Sequence, residues 1–207
     1  MAKEKAKIAV LVSGGGTNLQ AILDAERSGV LNSGRVTLVI SNKADAYALT
    51  RAENAGVKTA VVLKKDYPDA ADFETELQRL LTENGIDLII LAGFLRILSA
   101  DFTAKWPKRI LNVHPSLIPS FCGEGFYGLR VHEAALERGV KLTGATVHFV
   151  NEIPDGGEII LQKGVAVEPG DTPEILQKRV MEQAEWLLLP AAAELVSKTI
   201  VNGGKEA

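Results

Sequence analysis

The strongest chemical hypothesis in this sequence rests on an asparagine and a histidine two positions apart. Asn112 and His114 end an apolar run at residues 109–114, and strand geometry turns alternate residues to the same face. An amide donor beside an imidazole can polarise a carbonyl group and stabilise the negative charge that develops on its oxygen. Asp155, if its loop folds over the strand end, would raise the pKa of His114 above about 6.5. Read alone, an aspartate before two glycines is ordinary turn chemistry.

A glycine-rich segment, Ser13-Gly14-Gly15-Gly16-Thr17-Asn18, offers a site for an anion. The backbone N–H groups of Gly16, Thr17 and Asn18 begin a predicted helix, whose dipole favours a negative group such as a phosphate. The segment is not a Walker P-loop, because no Lys-Ser/Thr pair follows, and it lacks the full glycine spacing of a dinucleotide fingerprint. A tight strand-to-helix turn that binds nothing explains these residues equally well.

A glycine followed by bulky apolar residues, Gly93 to Leu98, comes directly after another apolar run. Such a segment can line a narrow pocket for a flat ring, and its backbone groups can form hydrogen bonds with the edge of that ring. Without other evidence, a plain connection from a strand to a helix is the simpler interpretation.

Metal and thiol chemistry find little support in the sequence. The three histidines, His114, His132 and His148, are not spaced four apart on a helix, and Cys122 is the single cysteine. No base is placed beside Cys122, so we expect neither a metal site nor a thiol nucleophile.

The elements that must position these residues alternate along the chain. Apolar runs separated by amphipathic helices predict right-handed crossovers and a single doubly wound, mostly parallel α/β sheet of the Rossmann type. Two longer runs with no helix between them predict an antiparallel C-terminal strand pair, and the residues from Asp171 to Glu174 begin a long helix that we expect to end near Pro190. The predicted strands are residues 7–13, 36–41, 59–63, 87–92, 109–114, 143–150 and 158–167.

Length and composition exclude several classes of protein. A chain of 207 residues is expected to form one domain, residues 1–207, with frayed ends at about 1–6 and 202–207. The net charge of −3 argues against a general nucleic-acid binder. No apolar run approaches the roughly 18 residues that span a bilayer. A single cysteine cannot form a disulfide within the chain, which fits a reducing compartment. We therefore expect a cytoplasmic protein that acts on small molecules and binds neither nucleic acid nor membrane.

Five segments together resemble the phosphoribosylglycinamide formyltransferases, the folate-dependent formyltransferases of purine biosynthesis. The resemblance runs from about Lys7 to the C-terminal helix and implies a formyltransferase-like fold. NVHPSLIP followed by DGG is specific for folate-dependent formyl transfer. The segments that begin with SGGGTN and SNKADA narrow the resemblance to the purine enzymes. The segments are SGGGTNLQAI, SNKADAYAL, LAGFLRIL, NVHPSLIPSF and GATVHFVNEIPDGGEIILQ.

The resemblance implies a role for each matched residue. Asn112, His114 and Asp155 would be the catalytic residues, and no metal would be required. Glycinamide ribonucleotide would be held through its phosphate and its sugar hydroxyls by Gly16, Thr17, Asn18 and Glu185. The co-substrate 10-formyltetrahydrofolate would contact Leu95, Arg96, Ile97, Leu98, Asn112, Val150, Asn151, Glu152 and Ile153.

The sequence departs from the family pattern in three places. Ala70 stands where an arginine that binds substrate is common, so that this contact is either missing or made by another residue such as Lys64 or Lys65. The loop at residues 121–128 is longer than usual and is followed by Arg130 in place of a histidine. Glu185 is followed by tryptophan instead of histidine, and it lies one residue further along the helix than the pattern predicts.

Three other functions compete with formyl transfer to the ribonucleotide. Relatives that formylate initiator methionyl-tRNA or hydrolyse formyltetrahydrofolate carry an extra domain, for which 207 residues leave no room. A nucleotide-binding module without catalysis would leave the combination of Asn112, His114 and Asp155 unexplained. The sequence leaves open whether the protein is a monomer or a homodimer.

Overall fold

The first strand is apolar on both of its faces because a layer of helices covers each side of the sheet. In the computed structural model, which describes residues 4–203, alternate residues of this strand enter two separate cores. Ile8 and Val10 pack into one core, and Ala9 and Leu11 pack into the other. The continuous apolar run in the sequence therefore indicates a central strand, as predicted for a doubly wound sheet.

Seven strands form one sheet in the order β3-β2-β1-β4-β5-β6-β7. The first five strands are parallel, whereas β6 is antiparallel to both β5 and β7. This confirms the predicted fold class, including the antiparallel C-terminal pair. The strands are β1 Ala6–Val12, β2 Gly34–Ser41, β3 Lys58–Val61, β4 Leu88–Leu91, β5 Ile110–His114, β6 Leu142–Phe149 and β7 Ile159–Ala166.

Seven α-helices connect or cover these strands, and one of them, α5, was not predicted. Single turns of 3-10 helix at Lys64–Asp66 and of π-helix at Met181–Glu185 supplement them. The helices are α1 Thr17–Ser28, α2 Tyr47–Asn54, α3 Ala70–Glu83, α4 Ala100–Thr103, α5 Leu129–Arg138, α6 Pro173–Val180 and α7 Trp186–Val201.

The C-terminal helical segment is longer than predicted. It begins as expected, with the Thr172 side chain accepting a hydrogen bond from Ile175 N and with Pro173 in the first turn. The expected end near Pro190 is wrong, because α7 continues to Val201 with that proline inside it. A proline removes one backbone hydrogen bond, but Leu189, Pro190 and Ala193 lie on the buried face, and their packing holds the helix together.

The sheet brings the carboxyl ends of β1, β4 and β5 to one edge. The strand order reverses at β1, which lies between β2 and β4, and ligands of open α/β sheets bind beyond such a reversal. The loops after β1 and β4 touch there, since Leu95 N donates a hydrogen bond of 3.0 Å to Ser13 Oγ. Two of the segments with predicted chemistry are thus neighbours.

The described ends of the chain are helical or extended up to their last few residues. Ala6 begins β1 and is fully buried, and α7 ends at Val201. The remaining residues of the expected frayed ends, 1–3 and 204–207, lie outside the described residues. Over residues 4–203, no helix has the length and apolar character needed to cross a membrane.

Candidate active site

Antiparallel pairing of β5 with β6 builds the centre of the site. The register places Asn112 opposite His148, so that both side chains stand at the edge where β5 ends. Asn112 Nδ2 lies 3.2 Å from His148 Nε2, and His148 Nδ1 lies 2.7 Å from the carbonyl oxygen of Phe149. The amide predicted to polarise a carbonyl group therefore has an imidazole partner that the sequence analysis did not identify.

Asp155 reaches this pair from the loop between β6 and β7. Its Oδ2 lies 3.4 Å from His114 Nδ1 and its Oδ1 lies 3.5 Å from His148 Nε2. Gly123 N donates a hydrogen bond of 2.9 Å to Oδ2, which ties this loop to the long loop after β5. The structure thus brings the three predicted catalytic residues together, with Asp155 between two histidines.

The two glycines after Asp155 are required by packing. A Cβ atom at Gly157 would lie 1.7 Å from the carbonyl oxygen of Phe149, and one at Gly156 would lie 2.6 Å from the Ile153 side chain. Asp155 itself has a φ of +54°. This tight turn folds the carboxylate back over the end of the sheet.

Burial has the largest effect on the pKa of His114. Its Nε2 lies 2.8 Å from the carbonyl oxygen of Phe121 and therefore donates the hydrogen bond. Burial lowers the pKa of His114 below 6.5, and the Asp155 carboxylate and the Phe121 carbonyl offset this only in part. The prediction that Asp155 holds this pKa above its ordinary value is therefore wrong, since the loss of water around the ring outweighs the carboxylate.

The carboxyl group of Asp155 stays acidic in the same surroundings. Burial raises its pKa, but the neighbouring His148 ring, the charge of His114 and the Gly123 N–H together outweigh burial and lower it. Asp155 is therefore a carboxylate at neutral pH.

A cavity of about 520 Å³ opens beside Asn112, His148 and Asp155. Seven of the other residues expected to bind folate line it, whereas Glu152 faces a neighbouring depression and His114 is buried behind Asp155. Its wall is mainly apolar, as a flat ring would require. The seven residues are Leu95, Arg96, Ile97, Leu98, Val150, Asn151 and Ile153.

The long loop at residues 121–128 forms the opposite wall of this cavity, through Gly123 to Tyr127. Cys122 stands at the base of the loop, where its Sγ donates to the carbonyl oxygen of Pro119 at 3.3 Å and where burial raises its thiol pKa. A thiol held in its protonated form is a poor nucleophile.

Positive charge at the cavity comes from Arg96, whose guanidinium lies 4.9 Å from the centre of the Phe73 ring. Phe73 belongs to α3, which begins at Ala70, the position where the family pattern has an arginine. Lys64 and Lys65, the candidates to replace that arginine, lie in the 3-10 turn and do not line the cavity.

The predicted anion site lies at the start of α1. Gly16 has a φ of +73°, and a Cβ atom there would lie 2.6 Å from Ala48 Cβ, so only glycine fits. Arg51, which the sequence analysis did not single out, donates from Nε to the carbonyl oxygen of Gly15 at 2.8 Å. The N–H groups of Thr17 and Asn18 stand in the first turn of a twelve-residue helix, beside this guanidinium.

Glu185 meets this site from the C-terminal helical segment. It is 7% exposed, Asn18 Nδ2 donates to its Oε2 at 2.8 Å, and burial raises the pKa of the carboxyl group. Glu185 ends the π-helical turn Met181–Glu185. Because a π-helical turn contains more residues than an α-helical one, it accommodates the additional residue and still turns Glu185 toward Asn18.

The sequence held one usable signal for His148. In the alternating stretch from Gly144 to Phe149, this histidine occupies a position that pairs with Asn112 once the strands are antiparallel. His114 and His148 face opposite oxygens of Asp155, and no three His, Cys, Asp or Glu side chains between residues 4 and 203 are grouped to hold a metal ion.

Known proteins resemble this chain over most of its length. The formyl transferase family matches residues 6–192. The phosphoribosylglycinamide formyltransferase of Haemophilus influenzae is 44% identical over 197 residues, which cover 95% of this chain and 88% of that protein. The trifunctional purine biosynthetic protein adenosine-3 of Homo sapiens is 47% identical over 203 residues, or 98% of this chain, but this chain spans only 19% of that protein's length.

Solved structures agree with these sequence comparisons. Glycinamide ribonucleotide transformylase 1 from Symbiobacterium toebii superimposes with a TM-score of 0.87 and is 44% identical, covering 97% of this chain and 89% of that structure. This similarity confirms the predicted formyltransferase-like fold. The chain belongs to the formyl transferase family, in the group of the phosphoribosylglycinamide formyltransferases.

Proposed function

We propose that this protein transfers the formyl group of 10-formyltetrahydrofolate to the amine of glycinamide ribonucleotide, a step of purine biosynthesis. The observation that carries the proposal is the cluster of Asn112, His114 and Asp155 beside a cavity of about 520 Å³. The cluster offers a carboxylate in contact with an imidazole, and His148 links that carboxylate to an amide donor at the same cavity. Acyl transfer through a tetrahedral intermediate uses these three groups.

The ribonucleotide is bound at the start of α1. Backbone N–H groups of Gly16, Thr17 and Asn18 hold the phosphate, supported by the helix dipole. Glu185 binds the sugar hydroxyls, and its hydrogen bond with Asn18 supports this role because it joins the sugar contact to the phosphate contact. Sugar and phosphate then lie in neighbouring positions, as they do in a ribonucleotide.

The formyl-folate occupies the cavity. Its pterin ring lies against the apolar wall formed by Leu95, Ile97 and Leu98, with the backbone of residues 150–153 at its edge. Arg96 provides the positive charge of this wall. The role of Glu152 in this set rests on the family resemblance alone, because its side of the loop faces a different depression.

The reaction exchanges one carbon–nitrogen bond for another. The neutral amine attacks the formyl carbon, and the carbonyl oxygen becomes an oxyanion that accepts a hydrogen bond from Asn112 Nδ2. The oxyanion adds negative charge near His114, which favours the imidazolium and so opposes the effect of burial on its pKa. When the intermediate collapses, the bond to folate nitrogen N10 breaks, and the proton lost by the amine, relayed by Asp155 and a water molecule, arrives at N10.

The setting of this reaction follows from the same proposal. As part of the same proposal, both substrates are small molecules and the protein works in the cytoplasm as a monomer or homodimer, with no nucleic-acid or membrane partner and no metal ion. Holding the two substrates together beside Asn112, His114 and Asp155 also lowers the activation barrier of the transfer by several kcal/mol.

A spectroscopic assay of folate deformylation, run with and without glycinamide ribonucleotide, tests the proposal. Turnover that depends strictly on the ribonucleotide supports the transferase. Release of tetrahydrofolate without it would replace the transferase by a formyltetrahydrofolate hydrolase. Ribonucleotide binding without any turnover, unchanged in Asn112→Ala and His114→Ala, would show a nucleotide-binding module.

A further inference from the structure

The backbone determines which nitrogen of His148 carries a proton. Nδ1 lies 2.7 Å from the carbonyl oxygen of Phe149, and a carbonyl oxygen only accepts hydrogen bonds, so Nδ1 is the donor. In a neutral imidazole the lone pair then lies on Nε2. The ring is 2% exposed, so that bulk water does not compete for either nitrogen.

The lone pair of His148 determines how the Asn112 amide is oriented. Asn112 Nδ2 lies 3.2 Å from Nε2, and this is the only hydrogen bond of the Asn112 side chain within the described part of the chain. With the amide reversed, its oxygen would face the lone pair and be repelled. The observed orientation places the NH2 group, rather than the oxygen, against His148 at the cavity that Asp155 also lines, where the oxyanion forms in the proposed reaction.

We propose that His148 is a positioning residue that keeps the NH2 group of Asn112, rather than its oxygen, turned toward the reacting carbonyl group. This inference rests on the proposed function. The neutral ring with its proton on Nδ1 is the form that orients the amide. A second proton on Nε2 would instead donate to the oxygen of Asn112 or to Oδ1 of Asp155, which lies 3.5 Å away, and would turn the amide the wrong way.

The titratable groups that interact with His148 are Asp155 and His114. Asp155 Oδ1 competes for Nε2 only when the ring is protonated, because a carboxylate only accepts hydrogen bonds. The amide contact of 3.2 Å is shorter than the carboxylate contact of 3.5 Å. The structure therefore places Nε2 of His148 closer to the amide nitrogen of Asn112 than to the carboxylate of Asp155.

A double-mutant cycle on kcat tests whether His148 acts through Asn112. We expect His148→Leu to lower kcat by roughly 10- to 100-fold, less than the loss of a whole oxyanion donor, with KM for both substrates unchanged. In the Asn112→Ala background the same substitution should cost nothing further, whereas in the Asp155→Asn background its full cost should remain. An equal cost in the Asn112→Ala background, or a loss seen mainly in KM, would overturn the inference.

The protonation of the ring gives a second test that needs no turnover. Nitrogen NMR of the wild-type protein labelled at histidine should show, at neutral pH, a His148 ring protonated at Nδ1 and unprotonated at Nε2. A proton on Nε2 would overturn the inference, whatever the activity. If the wild type transfers no formyl group, the proposed function fails, and the NMR result still decides how His148 is protonated.

Discussion

Asn18 donates a hydrogen bond of 2.8 Å to Glu185, although 167 positions separate them in the chain. The contact joins the first turn of α1 to the end of the π-helical turn and holds a carboxyl group that is almost fully buried. The proposed ribonucleotide site is thus assembled from segments near both ends of the chain, and the buried acid makes its assembly sensitive to pH.

Glu185→Gln should change how stability depends on pH. Burial raises the folded-state pKa of Glu185 above 4.5, so between 4.5 and that raised value the folded state holds a proton that the unfolded state has lost. The free energy of unfolding of the wild type should therefore fall as pH rises through this window, and the glutamine variant should lack this fall. Urea unfolding of the wild type and of the glutamine variant at several pH values measures how the stability of each depends on pH. Parallel curves would show that burial does not perturb Glu185.

The same variant should weaken ribonucleotide binding. A carboxylate accepts stronger hydrogen bonds from sugar hydroxyls than an amide does, by about 1 kcal/mol or more. We expect KM for glycinamide ribonucleotide to rise roughly 5- to 10-fold while KM for the formyl-folate stays the same. A rise in the folate KM instead would place Glu185 outside the ribonucleotide site.

Gly16→Ala should abolish ribonucleotide binding and destabilise the fold. The new Cβ atom would lie 2.6 Å from Ala48 Cβ at a φ of +73°, and such crowding and strain cost about 1–3 kcal/mol each. Gly14→Ala is the matched control, because a Cβ atom there has nothing within 4 Å. Thermal unfolding and ribonucleotide titration of the two variants should differ sharply. Equal behaviour would show that the loop rearranges freely.

Asp155→Asn should reduce turnover and leave ribonucleotide affinity nearly unchanged. The substitution removes the charge that raises the pKa of His114, so burial lowers that pKa further and the imidazolium becomes scarcer. We expect kcat to fall by roughly 10²- to 10⁴-fold. Glu124→Gln, which removes an exposed carboxylate from the same cavity, should have little effect. Equal losses in kcat and affinity would indicate a structural role for Asp155.

His132 should make the protein sensitive to mild acid. This fully buried ring has no hydrogen-bond partner within the described part of the chain, and burial lowers its pKa to about 4 from 6.5. Below pH 6.5 the unfolded state binds a proton that the folded state does not, so stability should fall by about 2 kcal/mol between pH 6.5 and 5. In His132→Leu this part of the fall should disappear in urea unfolding, whereas the exposed control Glu133→Gln should retain it. An unchanged slope in His132→Leu would assign the acid sensitivity elsewhere.

Local sequence patterns were sufficient to predict the fold class. Continuous apolar runs such as residues 7–12 identify strands buried on both faces, and the helices between them require parallel crossovers. The predictions that failed depend on packing. The helix continues past Pro190 because its buried face holds it, and α5 was missed although His132 and Ala135 pack on its buried side.

The candidate site likewise has a part that was predictable from the sequence and a part that depends on packing. The sequence alone determined that Asn112, His114 and the glycine-rich loop stand at one edge, because the carboxyl ends of parallel strands meet there. Tertiary structure decided that His148 faces Asn112 and that Glu185 reaches Asn18, since register and a π-helical turn depend on how distant segments pack. It also decided the pKa of His114, because the loss of water around a side chain follows from everything that surrounds it and not from its neighbours in the chain.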